Sequence, residues 1–216
     1  MPFTLPTTLT APDDAPAIRV LQRYFETGPT GEPSYTGSRF DSWDSLGTRA
    51  QDSNRFTADD VVALTFLSVD VPPLAAERLL VTESDRFNGL LEELGPDRDL
   101  VDEPGPLDDS WTGWILNRAL RELPGIGPTK ATKLFARKRP RLRPIWDSVV
   151  ADVTDSHDNL WTPLHASLKE RDGALHRRLA QLHAQAALPA EVSALRVFDI
   201  LCWMEGKSRG LTVVSD

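Results

Sequence analysis

The chain has 216 residues, 40% hydrophobic and 26% charged, with a net charge of −8, which suits one globular domain or two small lobes sharing a core. No apolar run reaches the roughly 18 residues of a membrane span, and the opening "MPFTLPTTLTAPDDAPA" lacks the basic and apolar regions of a signal peptide, so a cytoplasmic protein with no membrane partner is expected. The single Cys202 excludes an internal disulfide and any four-cysteine zinc or iron–sulfur centre.

Residues 1–14, rich in Thr, Pro and Asp, read as an extended arm, followed by one all-α domain over residues 15–216 that is divisible into two lobes. "APAIRVLQRYFETG" places Ile18, Leu21 and Phe25 at helical spacing and stops at Gly28. Residues 29–55 are polar and interrupted by Gly and Pro, which predicts a long loop. Its "YTGSRFDSW" gathers Tyr35, Arg39, Phe40 and Trp43, so the loop either packs down or lines a site. "FTADDVVALTFLSVD" predicts a buried helix with Thr57 as N-cap and Asp59 and Asp60 in the first turn. Pro72 and Pro73 end it and "PLAAERLL" starts another, followed by "ESDRFNGLLEELG" with Ser84 as cap and Gly95 as stop.

An acidic linker leads to "SWTGWILNRALREL", whose apolar stripe runs through Trp111, Trp114, Ile115, Leu116, Leu120 and Leu123. "DSVVADVTD", "LWTPLHASLKERD", "GALHRRLAQLHAQAA" and "AEVSALRVFDILCWMEG" predict four further helices, with Cys202 in an apolar core position. No stretch alternates as a strand between hairpin turns, so the expected fold is an all-α helical bundle.

Charge is distributed unevenly. Residues 1–110 hold 8 Lys/Arg against 21 Asp/Glu, and residues 111–216 hold 16 against 11. Lys130, Lys133, Arg137, Lys138, Arg139, Arg141 and Arg143 fall within fourteen residues that contain no acid. An acidic protein repels nucleic acid at long range, so a nucleic-acid partner would have to meet this run locally. The run directly follows "LPGIGPTKATKLF". Here Pro124 stops one helix, Gly125 and Gly127 permit a tight turn, and Pro128 suits the first turn of the next helix. The free N–H groups at such a helix start form a small nest for an anion. The basic run reads either as a solvated face or as an extension of that anion site.

The pattern Gly125-x-Gly127-x-x-x-Ala131 resembles a helix-hairpin-helix motif, at about residues 110–138. Asp147 lies 24 positions after Leu123 in "RPIWDSVV", a separation and local text similar to those of the helix-hairpin-helix DNA glycosylases. This resemblance covers about residues 108–155. It implies duplex DNA as partner, backbone contacts from Gly125, Gly127, Thr129, Lys130 and Lys133, and Asp147 as the catalytic carboxylate. Family members that also cleave the strand carry a lysine at the sixth position after the hairpin leucine. That position is Thr129, so the resemblance implies a single-function base-excising hydrolase with water as nucleophile, without cofactor or metal. Asp147 also reads as a helix N-cap, and the two roles are compatible.

The order of "YTGSRF", "FTADDVVALTFLSV", the hairpin and "RVFDILCWMEGK" resembles a family of actinobacterial proteins without an assigned activity. It implies that Tyr35, Arg39 and Phe40 belong to one functional unit with the hairpin, the loop folding over the Asp147 cleft with Tyr35 or Phe40 for stacking and Arg39 for an anion. A loop pinned by aromatic packing is the alternative. His157, His165, His176 and His183 have no metal-ligand spacing. Two further functions remain open: a non-catalytic helix-hairpin-helix nucleic-acid-binding protein, and a binder of a small nucleoside-like ligand that has lost duplex binding.

Overall fold

The helical spacings of the sequence become helices throughout the computed structural model, which describes residues 3–157 and 159–213; no strand forms among these residues. Helix α1 (Thr7–Thr10) is a single turn within the segment expected to be an extended arm. Leu9 is buried there, Thr4 donates its amide to the Thr154 carbonyl at 2.9 Å, and the Thr7 amide meets Glu205 Oε2 at 2.7 Å. The segment is therefore fastened to the domain by an apolar anchor and polar contacts at each end.

Helix α2 (Ala15–Phe25) turns Ala17, Leu21 and Tyr24 inward, at the three- and four-residue spacing of one helical face. Helix α3 (Ala58–Thr65) begins with a reciprocal capping box between Thr57 and Asp60, an arrangement worth about 1 kcal/mol. It ends before its apolar run does, since Ser68 takes a left-handed conformation that turns the chain. Helix α4 (Pro73–Glu77) runs through a π turn (Arg78–Thr82) toward α5 (Ser84–Leu94), which stops at Gly95 with φ +82°.

Helix α6 (Thr112–Arg121) buries Leu116, Ala119 and Leu120, whereas Ile115, expected in the same stripe, faces outward. Helix α7 (Pro128–Lys138) follows the glycine turn, and α8 (Ser148–Thr154) starts at Asp147. Helix α9 (Trp161–Gln185) contains a break at Glu170–Gly173, where the backbone leaves helical values, and so behaves as the two helices expected on either side of Gly173. Helix α10 (Ala194–Ser208) is the centre of the bundle. Val197, Phe198, Ile200, Leu201 and Cys202 are buried around most of its circumference, and α2, α8 and α9 pack against it. Helix α7 packs on α3 and α6, and α5 covers α6.

Lys133, Arg137, Lys138, Arg139 and Arg143 of the basic run are buried, which both readings given to the run from the sequence had placed at the surface, while Lys130 is partly exposed and Arg141 exposed. Arg137 sends Nε to Asp60 Oδ1 at 3.1 Å and Nη1 to the Phe40 carbonyl at 2.8 Å, while Nη2 meets the Trp43 carbonyl. Lys138 Nζ reaches Asp60 Oδ2 at 2.5 Å and the Asp52 carbonyl at 3.0 Å. Arg139 donates to the carbonyls of Gly95, Ser53 and Leu91 at 2.7–2.8 Å and to Asn54 Oδ1 at 2.6 Å. These cations satisfy the carbonyls of residues 40–54, a stretch with almost no regular structure to do so. A long loop can lie against a core only if its backbone polar groups are paired. The charge that looked like a surface for nucleic acid is what holds the long loop down.

Candidate functional site

The hairpin between α6 and α7 is closed by the Ile126 amide donating to the Leu123 carbonyl at 3.1 Å. Gly125 has φ +69°, and a Cβ there would lie 2.9 Å from Pro72 Cγ, so glycine is required both for conformation and for space. Gly127 has an ordinary extended conformation (φ −82°, ψ −175°) and serves as N-cap of α7. Lys130, partly exposed, folds Nζ back onto the Gly125 carbonyl at 3.0 Å. Thr129 is buried in the first turn of α7.

Asp147 caps α8. Oδ1 accepts the Val150 amide at 3.0 Å, and Oδ2 makes no hydrogen bond among the described residues. Although the residue is only 3% exposed, it lines a partly open cavity of about 110 Å³. For scale, a cavity of about 150 Å³ admits one benzene molecule. The walls are aromatic: Tyr24 and Tyr35 stack at 5.4 Å with their planes 7° apart, and Trp203 meets both edge-on. Lys133, 2% exposed, lines the same cavity and donates to the Leu67 carbonyl at 3.2 Å. It therefore lies on the inner face of α7, where a duplex backbone at the protein surface cannot reach it.

At the other end of the cavity is a buried polar cluster that the sequence reading did not anticipate. Arg196 donates Nε to Asp41 Oδ2 at 2.9 Å, Nη1 to Asp199 Oδ1 at 2.6 Å, and Nη2 to the Tyr24 hydroxyl at 2.9 Å and the Gly37 carbonyl at 3.1 Å. Burial pushes the Asp199 carboxyl up to about 7, against the pull of Arg196, and pushes the Tyr24 hydroxyl up to about 12. The cavity thus joins a partly committed carboxylate, an ammonium, three aromatic rings and a guanidinium–carboxylate cluster. Asp41 and Gly37 come from the loop and the rest from helices, so the site exists only when the loop is seated. The one signal in the sequence was two opposite charges three residues apart, Arg196 and Asp199, in the otherwise apolar "ALRVFDILCWM".

Of the three loop residues, Tyr35 lines the cavity that Asp147 and Lys133 also line, and no residue of the 123–127 turn borders it. Phe40 is instead buried in the core beneath the guanidinium groups of Arg137 and Arg196, and Arg39 is exposed with a 3.4 Å contact to the Gly31 carbonyl. The aromatic-packing alternative therefore describes Phe40, and the cleft reading describes Tyr35.

The family model that matches this chain covers residues 17–206, from the first turn of α2 to the last of α10. The chain belongs to DUF6308, a family of unknown function. Every helix that lines the Asp147 cavity lies within the DUF6308 match. No curated protein and no solved structure matches the chain.

Gly37 offers a direct test of how tightly this site is assembled. A Cβ at that position would overlap the Tyr24 hydroxyl, which is fixed by Arg196. Gly37→Ala should therefore cost about 1–3 kcal/mol, the usual range for overpacking. A urea unfolding midpoint indistinguishable from that of the parent protein would show that the loop has room to shift.

Proposed function

We propose that the Asp147 cavity is a hydrolytic site for an N-glycosidic bond. The supporting observation is a carboxylate with one oxygen used as a helix cap and the other uncommitted, lining an aromatic-walled cavity at the start of α8, the helix that follows the glycine hairpin and α7. The ring of the leaving base would lie against Tyr35 and Trp203. The cavity must widen on binding, since its volume of about 110 Å³ is below the roughly 150 Å³ that admits benzene. As the bond between the sugar carbon and the base nitrogen breaks, its electron pair leaves with the base, which takes up a proton. A water molecule bonds to the same carbon and gives a proton to Asp147, which releases it to solvent as the base takes its proton from solvent, and the Asp147 charge also stabilises the cationic sugar. Thr129 carries no amine, so no covalent imine is formed at that position.

On this reading the hairpin contacts the backbone of a duplex and the target base is extruded into the cavity. Arg121 and Lys130 are the cations near the turn with access to solvent. Duplex binding should therefore depend on salt with a slope of only about −2 in log K against log salt, close to two neutralised phosphates. The test is a panel of duplexes carrying different damaged bases, treated with alkali to reveal abasic sites. Absence of cleavage across the panel, together with absence of duplex binding at low salt, would refute the DNA reading.

A second reading is favoured by burial of the basic run. With Lys133, Arg137, Lys138, Arg139 and Arg143 all inside, only Lys130 and Arg141 of that run remain within reach of a long polyanion. The same chemistry on a free nucleoside would need none. Free nucleosides therefore belong in the same assay, with release of base as the readout.

A further inference from the structure

Arg143, between α7 and α8, differs from the rest of the basic run. It is 6% exposed, and its Nε and Nη1, both sealed from solvent, have no hydrogen-bond partner among the described residues. Its guanidinium lies 4.0 Å from the ring centre of Trp161 and 5.7 Å from that of Trp114, so aromatic faces hold it in place. Burial and the nearby charge of Arg121 push its pKa down to about 9, which leaves it charged at neutral pH. An unpaired buried cation destabilises a fold by several kcal/mol. Arg137, Lys138 and Arg196 each have a carboxylate partner, and Arg139 has five acceptors.

Arg143 faces a cavity of about 230 Å³ on the side of the hairpin bounded by Trp146, separate from the one that holds Asp147. Asn117 also lines it, is buried, and leaves Oδ1 without a partner. Its Oδ1 is sealed from solvent, whereas Nδ2 is not and donates to no described residue, so the amide nitrogen is the end available to the cavity. Exposed Arg121 stands at its mouth, and no carboxylate lines the cavity among the described residues. Two guanidinium groups and an amide border one partly open cavity, and together they match a tetrahedral phosphate anion better than a single carboxylate does.

We propose that this cavity is a binding site for a phosphoryl group, with Arg143, Asn117 and Arg121 as its donors. The group belongs either to a small phosphomonoester or to a nucleic-acid strand. The site does not depend on the Asp147 reading.

The test is thermal unfolding of the full chain in inorganic phosphate, sodium acetate and sodium chloride at matched ionic strength and pH 7.5. Phosphate should raise the unfolding temperature in a saturable way, as a ligand that binds only the folded state does. Acetate and chloride should not. Arg143→Met should be at least as stable as the parent in chloride and show no response to phosphate, which distinguishes loss of the site from misfolding. Arg121→Gln, altered at an exposed position, should bind phosphate at least about tenfold more weakly. Asp147→Asn should leave the phosphate response unchanged, so failure of the hydrolase reading and failure of this one are separable. A flat phosphate response in the parent protein, an equal response to acetate, or an intact response in Arg143→Met would each overturn the proposal. Given a positive result, a nucleoside monophosphate and a short phosphodiester compared in the same assay identify the source of the group.

Discussion

Asp60→Asn is expected to destabilise the protein by roughly 3–5 kcal/mol, a large share of the roughly 5–15 kcal/mol that stabilises a folded domain. Asp60 carries the charge opposite both Arg137 and Lys138, and all three side chains are about 1–2% exposed. Burial pushes the pKa of both cations down, so their charged forms are maintained at neutral pH against a desolvation penalty that Asp60 offsets. Neutralising the aspartate leaves two cations in the interior with only backbone carbonyls as partners, and it weakens the capping box of α3. The effect should spread to residues 40–52, because the same two cations bind their carbonyls. Chemical unfolding measures the total, and amide hydrogen exchange shows whether the loop opens first. Asp99→Asn is the control, since its partner Arg141 is half exposed and such a pair contributes under about 1 kcal/mol. Equal losses from the two substitutions would mean that the Asp60 cluster is not the fastening described above.

The second large effect is on chemistry rather than stability. If Asp147 acts on the reacting sugar, Asp147→Asn should lower hydrolysis by about 10²–10⁴-fold, the usual contribution of a positioned acid or base. Asparagine caps a helix about as well as aspartate, so this variant should keep its unfolding midpoint close to the parent value. Asp147→Ala removes the acceptor for the Val150 amide and should cost about 1 kcal/mol in addition to losing activity. The pair separates the two roles of one side chain: asparagine preserves the cap and removes the charge, while alanine removes both. Hydrolysis that survives Asp147→Asn would assign this aspartate to the cap alone.

The helices were legible because their determinants are local. Leu21 and Tyr24 share a face at three-residue spacing, Thr57 and Asp60 form a capping box over four residues, and Gly95 stops α5 through its own backbone freedom. The hairpin was legible for the same reason, since the turn at Gly125 depends on neighbouring residues. Asp147 was visible as a cap and as a spacing from Leu123. The basic run was misread because charge in a sequence carries no record of depth. Arg137 meets partners about 77–97 positions away, and nothing near it in the chain shows that those carbonyls and Asp60 await it. Arg196 is a stronger case, since it joins Asp41, Gly37 and Tyr24 across 155 positions or more.

By itself, then, the sequence determined an all-α chain, the positions of most helices, a glycine hairpin and a capping aspartate after it. These follow from backbone hydrogen bonding and apolar spacing over a few residues. Only the tertiary structure decided which charges lie inside, that Tyr35 reaches the Asp147 cavity while Phe40 does not, and that Arg143 is buried with Nε and Nη1 lacking a hydrogen-bond partner among the described residues. The physical reason is desolvation: whether a charge is buried depends on acceptors supplied by distant segments, and those meet only when the chain has folded.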